Sequence, residues 1–302
     1  MSGVILYGAP APGLVDVPAG AVQTSPLILG SADLSGLPDG SAEGAVALAP
    51  PGTLERDFVL AQILRAVKPG GAITVLAPKD KGGSRLRKAL EGFGCAVTED
   101  ARRHHRFCFV TRPPEPLRLR DAIAAGAPRL LPDLGLWSQP GVFSWDRLDP
   151  GSARLLELMP DQAGQGADLG CGIGVLAARV LASKQVTDLA CLDIDRRAVA
   201  CAQHNLDDRR ASIAWADVRT STELLTGLDF VVMNPPFHDG GSEDKALGVA
   251  FLQAAAGALR KGGTCWMVAN RHLPYEAVLA GAFSSVETRG DAAGYKIFEA
   301  RK

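Results

Sequence analysis

The amino-acid sequence predicts an α/β protein with two domains in tandem, each built around a mostly parallel sheet flanked by helices. At 302 residues the chain is long enough for two domains that each bury a core. In its second half, short apolar runs alternate with helical patterns, an order that builds parallel sheets. Residues 65–77 also resemble residues 257–269, because each stretch is predicted to contain a helix end, a Gly-Gly turn and a strand.

A second pair of matching segments extends this internal similarity. Residues 46–51 (VALAPP) occupy the place in the first half that residues 231–236 (VVMNPP) occupy in the second. The chain is therefore predicted to hold two copies of one fold. Chance similarity of common helix–turn–strand units is the alternative.

The individual elements of the second half follow from short apolar runs and helical spacing. Strands are predicted around residues 190–192, 213–215, 230–233 and 264–269. Helices are predicted over residues 196–206 and 247–259. This alternation places successive strands parallel to one another, with their carboxyl ends at one edge of the sheet.

The domain boundary is predicted from a segment rich in proline. Residues 113–116 read Pro-Pro-Glu-Pro, and a polar run interrupted by Gly and Pro continues to residue 141. The sequence therefore predicts a first domain over residues 1–115, a linker over 116–140 and a second domain over 141–302.

Composition narrows the class of protein. Apolar residues make up 47% and charged residues 22%, as in a globular protein, and the formal net charge of −1 is not that of a non-specific nucleic-acid binder. No basic segment precedes the first apolar residues and no run reaches about 18 apolar residues, so neither export nor membrane insertion is expected. The 6 widely spaced cysteines include no CxxC pair, which predicts buried free thiols, no metal and a cytoplasmic location.

Basic residues are concentrated in one stretch, residues 79–106. Its cations outnumber its carboxylates, so it is a candidate for local contact with nucleic-acid phosphates. A solvated helix face is an equally good interpretation. The cations are Lys79, Lys81, Arg85, Arg87, Lys88, Arg102, Arg103 and Arg106.

A glycine loop in the second half predicts a cofactor site. Residues 168–174 have the spacing DxGxGxG and lead directly into an apolar helical pattern. Glycine lets the backbone pass close to a ligand at a strand-to-helix turn, the usual binding edge of such sheets. Asp193 follows Gly174 by 19 residues, at the end of the next predicted strand, where a carboxylate can accept from both ribose hydroxyls.

The details of this loop favour S-adenosylmethionine. A dinucleotide loop (GxGxxG) starting at Gly170 would need glycine at the position of Val175. Asp168 suits the positively charged amino group of a methionine moiety, and Asp217 could accept from the adenine amino group or could be a simple turn residue. Cys171 is expected to be a packing residue. The predicted cofactor residues are Asp168, Gly170, Gly172, Gly174, Asp193 and Asp217.

A second motif, Asn234-Pro235-Pro236-Phe237, ends the apolar run at 230–233 and predicts methyl transfer to an amine. An amine attached to an aromatic ring is a poor nucleophile, because its lone pair is delocalised into the ring. The side-chain oxygen of Asn234 and the carbonyl of Pro235 could accept its two N–H groups and direct the lone pair at the methyl carbon. The prolines stiffen the turn, and Phe237 could stack on a planar substrate. A turn without function is the alternative.

These motifs together resemble the bacterial ribosomal RNA guanine-N2 methyltransferases, over nearly all of residues 137–302. The resemblance implies two tandem Rossmann-like class I methyltransferase domains, of which the N-terminal one is degenerate and helps with RNA or folding. It also implies ribosomal RNA or a ribosomal subunit as the substrate. In the first half, Ala49 replaces the asparagine and no DxGxGxG occurs before residue 115, in agreement with this pattern. The resemblance rests on residues 140–144, 148–152, 168–174, 234–240, 268–275 and 295–298.

Other functions use the same residue types. Adenine-N6 methyltransferases and protein glutamine-N5 methyltransferases share the Asn-Pro-Pro-aromatic chemistry, and only a substrate test separates them. A non-catalytic nucleoside-binding or RNA-binding module is a further alternative. The intact Asn234 and Asp193 argue against that alternative.

Overall fold

The computed structural model describes residues 3–221, 225–236, 238–239, 242–243 and 245–302. The chain divides into two compact units. The first unit consists of Met1–Pro128 with Gln139–Gly141, and the second consists of Arg129–Ser138 with Val142–Lys302.

The first unit is an α/β sheet structure in which parallel strands come first and an antiparallel hairpin comes last. Its strands are β1 (Val4–Tyr7), β2 (Val22–Gln23), β3 (Ala42–Leu48), β4 (Val67–Pro78), β5 (Val97–Arg102) and β6 (His105–Thr111). Its helices are α1 (Thr53–Ala66), α2 (Leu86–Gly92) and α3 (Leu119–Gly126), with a short 3-10 helix at Gly83–Arg85. The sheet has the order β2-β1-β3-β4-β6-β5, and β6 runs antiparallel to both β4 and β5.

The second unit repeats this arrangement in a longer form. Its strands are β7 (Arg129–Leu131), β8 (Leu136–Ser138), β9 (Gly164–Leu169), β10 (Val186–Asp193), β11 (Ala211–Trp215), β12 (Leu228–Met233), β13 (His238–Asp239), β14 (Ser242–Glu243), β15 (Leu259–Asn270), β16 (Ser285–Ala292) and β17 (Tyr295–Arg301). Its helices are α4 (Pro150–Leu158), α5 (Val175–Leu181), α6 (Arg196–Asn205), α7 (Val218–Ser221), α8 (Lys245–Ala258) and α9 (Glu276–Ala282). The main sheet has the order β11-β10-β9-β12-β15-β17-β16.

The two main sheets have the same topology once β11 is set aside. In that comparison β1, β3, β4, β5 and β6 take the places of β9, β12, β15, β16 and β17. The prediction of two copies of one α/β fold is therefore confirmed. The first copy is reduced, because no described helix connects β1 to β2, whereas α5 connects β9 to β10.

The Gly-Gly turns that revealed the duplication have the same structural cause in both units. Gly70 and Gly262 have φ of 79° and 81°, a left-handed conformation that costs glycine little. A Cβ on Gly71 would lie 2.7 Å from the carbonyl oxygen of Glu43, and one on Gly263 would lie 2.8 Å from that of Leu228. Each turn therefore needs its second glycine to lie against the neighbouring strand.

The interval 116–140, expected to be a linker, is folded and is divided between the two units. Its helix α3 packs on α1, and a Cβ on Gly126 would lie 2.3 Å from the side chain of Phe58. Its later part forms the β7–β8 hairpin of the second unit. The Gly and Pro residues that indicated a linker are therefore turns and close packing positions between short elements.

The cysteines and helices bear on two further expectations. Cys95, Cys108, Cys171, Cys191, Cys201 and Cys265 are all buried and free, as predicted. Among the described helices, none has the length and apolar character needed to cross a membrane.

Candidate active site

The glycine loop joins the carboxyl end of β9 to the start of α5, as its sequence predicts. Gly170, Gly172 and Gly174 have φ of 74°, 55° and 90°, so all three adopt a conformation that other residues rarely adopt. A Cβ on Gly170 or Gly174 would press on Phe251 or Leu206 at 3.2 and 3.1 Å. At Gly172, by contrast, no heavy atom lies within 4 Å of the added Cβ. The backbone of Gly172 is therefore open to a ligand.

Asp193, at the end of β10, holds the middle of this loop. Its Oδ2 accepts from the backbone N–H of Gly172 at 2.7 Å, and its Oδ1 accepts from that of Asp195 at 2.8 Å. Burial raises the pKa of Asp193 to about 6. Asp193 therefore fixes the loop and places a carboxylate beside the open backbone of Gly172.

Asp168, on β9, is the most unusual carboxyl group of the site. Its side chain is completely buried, at 0% exposure, and neither oxygen has a hydrogen-bond partner among the described residues. Burial raises the pKa of Asp168 to about 8; the backbone N–H of Ala177, which lies outside hydrogen-bond geometry, acts in the opposite direction, and the charge of nearby Asp193 acts in the same direction as burial. A buried carboxyl without a partner is costly to the fold, and such groups are concentrated at functional sites.

Asp217 lies between β11 and α7, where its carboxylate is already engaged. It accepts from the backbone N–H of Arg219 at 2.9 Å and forms a salt bridge with the guanidinium of the same residue at 2.6 Å. This pairing lowers the pKa of Asp217. The contacts are those of a turn aspartate, so a role toward adenine stays a prediction that would require Arg219 to share the carboxylate.

The Asn-Pro-Pro turn lies at the same sheet edge as the glycine loop. Strand β12 pairs in parallel with β9, with Val232 opposite Asp168, so Asn234 follows directly at the carboxyl edge. Pro235 is buried, and Asn234 and Pro236 are half-buried. Phe237, the predicted stacking residue, lies outside the described residues. The turn and the loop are thus brought together by adjacent strands, as their positions in the sequence predict.

Comparison with known proteins identifies the family. The sequence matches the methyltransferase small domain family over residues 133–299. A ribosomal RNA small subunit methyltransferase C of Shewanella loihica is 32% identical over 79% of this chain and 71% of its own length. The protein of the same name from Pseudomonas paraeruginosa is 34% identical over 88% of this chain and 81% of its own. The chain belongs to the ribosomal RNA small subunit methyltransferase C family.

A solved structure of this methyltransferase C family supports the same assignment over most of the chain. It is the T. thermophilus 16S rRNA N2 guanine methyltransferase in complex with AdoMet and guanosine, and its TM-score is 0.73 at 28% identity. The match covers 89% of this chain and 75% of that chain. The family resemblance drawn from the sequence is confirmed, as is the expectation of two tandem Rossmann-like class I methyltransferase domains with a degenerate N-terminal copy.

The structure adds two residues at this candidate site, Asp149 and Ser152, to which the sequence assigned no role. The side-chain Nδ2 of Asn234 donates to Asp149 Oδ2 at 3.0 Å and to Ser152 Oγ at 2.9 Å. Asp149 is the N-cap of α4 and accepts from the backbone N–H of Ser152 at 2.7 Å. Asp followed by Pro150 is a readable helix start. The contact with Asn234, far along the chain, has no local signal in the sequence.

Two remaining observations concern cysteine and metal chemistry. Cys171 is buried, and burial raises the pKa of its thiol well above the ordinary value, so it is a packing residue and a poor nucleophile. Within the described part of the chain, no cluster of three or more His, Cys, Asp or Glu side chains could hold a metal ion.

Proposed function

We propose that this chain uses S-adenosylmethionine to methylate the exocyclic N2 amine of guanine in ribosomal RNA. The observation that carries the proposal is the placement of the Asn234 turn beside the open glycine loop, on the neighbouring parallel strands β12 and β9. One motif is suited to an amine substrate and the other to a nucleoside cofactor. Adjacent strands bring the two within one edge of one sheet.

The residues around the loop fit S-adenosylmethionine. The orphaned carboxyl of Asp168 offers a partner for an ammonium group, and the open space at Gly172 admits a ligand against the backbone. Asp193, at the end of the neighbouring strand, has carboxylate oxygens that can accept from ribose hydroxyls. When bound, the cofactor supplies an electrophilic methyl group on a sulfonium centre.

The Asn-Pro-Pro turn would prepare the acceptor amine. Oδ1 of Asn234 and the backbone carbonyl of Pro235 would accept the two N–H groups, which withdraws the nitrogen lone pair from the ring. Much of the rate gain in such a reaction comes from holding the reacting atoms in line, and effective molarities of about 10⁵–10⁸ M are known for well-oriented groups. Phe237 is proposed to stack on the base, a contact worth about 1–3 kcal/mol.

The relatives favour guanine over the other amines. The structurally similar T. thermophilus protein is named as an N2 guanine methyltransferase of 16S rRNA, and its complex contains guanosine. Adenine-N6 and glutamine-N5 transfer would use the same turn, but no relative described above is named for them. The proposed partner is therefore ribosomal RNA or a ribosomal subunit, and the proposed location is the cytoplasm, where subunits are assembled.

The test is to identify the methylated product. The protein would be incubated with labelled S-adenosylmethionine and either naked 16S rRNA or assembled small subunits, and the nucleosides and proteins would then be analysed by mass spectrometry. We expect N2-methylguanosine in one of the two preparations. Label in N6-methyladenosine or in a glutamine side chain, without N2-methylguanosine, would overturn the proposed substrate. The variant Asn234→Ala is the control for contaminating activity.

A further inference from the structure

We propose that Asp149 and Ser152 are positioning residues that fix the orientation of the Asn234 amide for methyl transfer. This inference rests on the proposed function and deepens it. An asparagine amide has a donor end and an acceptor end of nearly equal size. Only one of its two orientations presents Oδ1 to the substrate amine, so the enzyme needs a device that selects this orientation.

The contacts of Asn234 provide that device. Asp149 Oδ2 lies 3.0 Å from Nδ2, and Ser152 Oγ lies 2.9 Å from the same nitrogen. An ionised carboxylate only accepts hydrogen bonds, so a flipped amide would place Oδ1 against a carboxylate oxygen with no proton between them. Both N–H groups of Nδ2 are used in this arrangement. Oδ1 has no hydrogen-bond partner among the described residues and is left to the substrate.

The first turn of α4 holds Asp149 rigidly. The oxygen that accepts from Asn234 also accepts from the backbone N–H of Ser152 at 2.7 Å, so capping of the helix and orientation of Asn234 depend on one atom. A Cβ on Gly151 would lie 3.0 Å from this oxygen and 2.9 Å from the ring of Tyr295. Glycine therefore lets the helix start lie against β17, and Ser152 is itself buried. These contacts restrict movement of the Asp149 carboxylate, so it cannot readily shift to accommodate an Asn234 amide in the wrong orientation.

The structure also allows capping to be separated from positioning. In Asp149→Ser, a short hydroxyl can still cap α4, because serine is a good N-cap residue, but it loses the reach to Asn234. In Asp149→Asn, a carbonyl oxygen can replace Oδ2 and retain both contacts without the charge. In Ser152→Ala, the backbone N–H that Asp149 caps is unchanged, and only the second acceptor of Asn234 is lost.

The experiment measures single-turnover methyl transfer, cofactor affinity and melting temperature for each variant. A misplacement of about 1 Å can cost roughly 100-fold in rate, so we expect about 100-fold loss in Asp149→Ser and about 10-fold in Ser152→Ala. Asp149→Asn should stay within about threefold of wild type, since the acceptor is retained. Cofactor affinity should change less than about twofold in all three, because Asn234 and not the cofactor is displaced.

A double-variant cycle distinguishes positioning from general stability. If Asp149 acts through Asn234, then Asp149→Ser in the Asn234→Ala background should cause no further loss. Additive losses, or wild-type rates in both Asp149→Ser and Ser152→Ala, would overturn the inference while leaving the proposed function intact. An Asn234→Ala variant that is itself fully active would instead count against the proposed chemistry of the turn.

Discussion

The two units differ in the residues that they place at the carboxyl edge of the sheet. In the second unit, Asn234 and the two prolines after it lead into residues 237–244 before α8 begins. In the first unit, Ala49 and its two prolines are followed by Gly52 alone before α1 begins. The guanidinium of Arg56 on α1, which is only 2% exposed, closes this shorter turn by donating to the carbonyl of Pro51 at 3.0 Å.

The loops after the first strand of each copy differ in the same way. Gly8 after β1 keeps the left-handed φ, at 79°, that Gly170 has after β9. The residues that follow Gly8 include Pro10 and Pro12 in place of further glycines, and the described structure has no helix there. Both copies retain the packing and the Gly-Gly turns on which the fold depends, whereas the positions proposed for the chemistry are confined to one sheet edge of the second unit.

The substitution expected to have the largest effect is Asn234→Ala, at the turn that differs between the two units. Asn234→Ala removes one acceptor for the amine, so single-turnover methyl transfer should fall by at least about 100-fold, as expected for a group that acts in the chemical step. Affinity for S-adenosylmethionine, measured by calorimetry on the same samples, should change little. Near-normal turnover would remove Asn234 from the mechanism. The matched substitution Ala49→Asn in the first unit should produce no additional methyl transfer, because Arg56 occupies the turn that follows Ala49.

The loop of the second unit should account for all cofactor binding. Asp193→Ala removes the proposed ribose acceptor and frees the N–H of Gly172, so affinity for S-adenosylmethionine should fall about 10-fold or more, the loss expected from about 1.5–3 kcal/mol for a charged hydrogen bond. Titration calorimetry should also give one cofactor per wild-type chain. A stoichiometry of two would show that the first copy still binds, and unchanged affinity in the variant would contradict the assignment of Asp193.

The residues at the carboxyl edge of the second unit's sheet could be predicted from the sequence, but the residues that hold such turns in place could not. Asn234, the glycines and Asp193 lie at strand ends, where residue type and spacing carry the signal. Asp149 and Arg56 act through contacts set by packing: one reaches a residue far along the chain, and the other is an arginine inside an otherwise ordinary helix pattern. The predicted linker failed for a similar reason, because Gly126 is a packing position against Phe58 that resembles a loop residue in sequence.

The buried carboxyl group of Asp168 should make the stability of the protein depend on pH. Its pKa is about 8 against an ordinary value of 3.8, so the folded state binds the extra proton between these values and loses stability as the pH rises through that window. Relative to wild type, Asp168→Asn should therefore become more stable by about 1.4 kcal/mol for each pH unit between about pH 4 and pH 8, which would be seen as a melting-temperature difference that grows with pH. Saturating cofactor should reduce the gain by supplying a cationic partner. A difference that is constant with pH would show that the carboxyl is not held protonated.

The smallest expected effect concerns what the first unit does with its altered edge. The β5–β6 hairpin turns at Arg103 and His104, both at positive φ, and its tip lies at the carboxyl end of β4, where Pro78 pairs with His105. Arg103 donates to the carbonyl of Gly13, in the loop that replaces the cofactor loop. Part of the basic segment, residues 79–106, therefore lies at the carboxyl edge of the first unit's sheet, where the glycine loop and the asparagine are absent from the sequence.

The basic segment also contains a residue that can serve as the control for RNA binding, Arg87. Arg87 is neutralised by Glu91 at 2.8 Å and Glu99 at 3.3 Å, whereas Arg106 forms no ion pair with the described residues. We predict that Arg106→Gln weakens binding to 16S rRNA, while Arg87→Gln leaves it unchanged. Changing Arg103 and Arg102 as well should extend the effect, since the ion pair of Arg102 with Asp100 is long, at 3.9 Å.

The discriminating measurement is the dependence of RNA affinity on salt. Each arginine that contacts a phosphate contributes about 0.7–0.9 to the slope of log affinity against log salt, so the triple variant should lower that slope by up to about 2–3. Single-turnover methyl transfer at saturating RNA should be unchanged, because the proposed reaction site lies in the second unit. An unaltered slope would show that these arginines do not contact RNA phosphates and belong to a solvated surface.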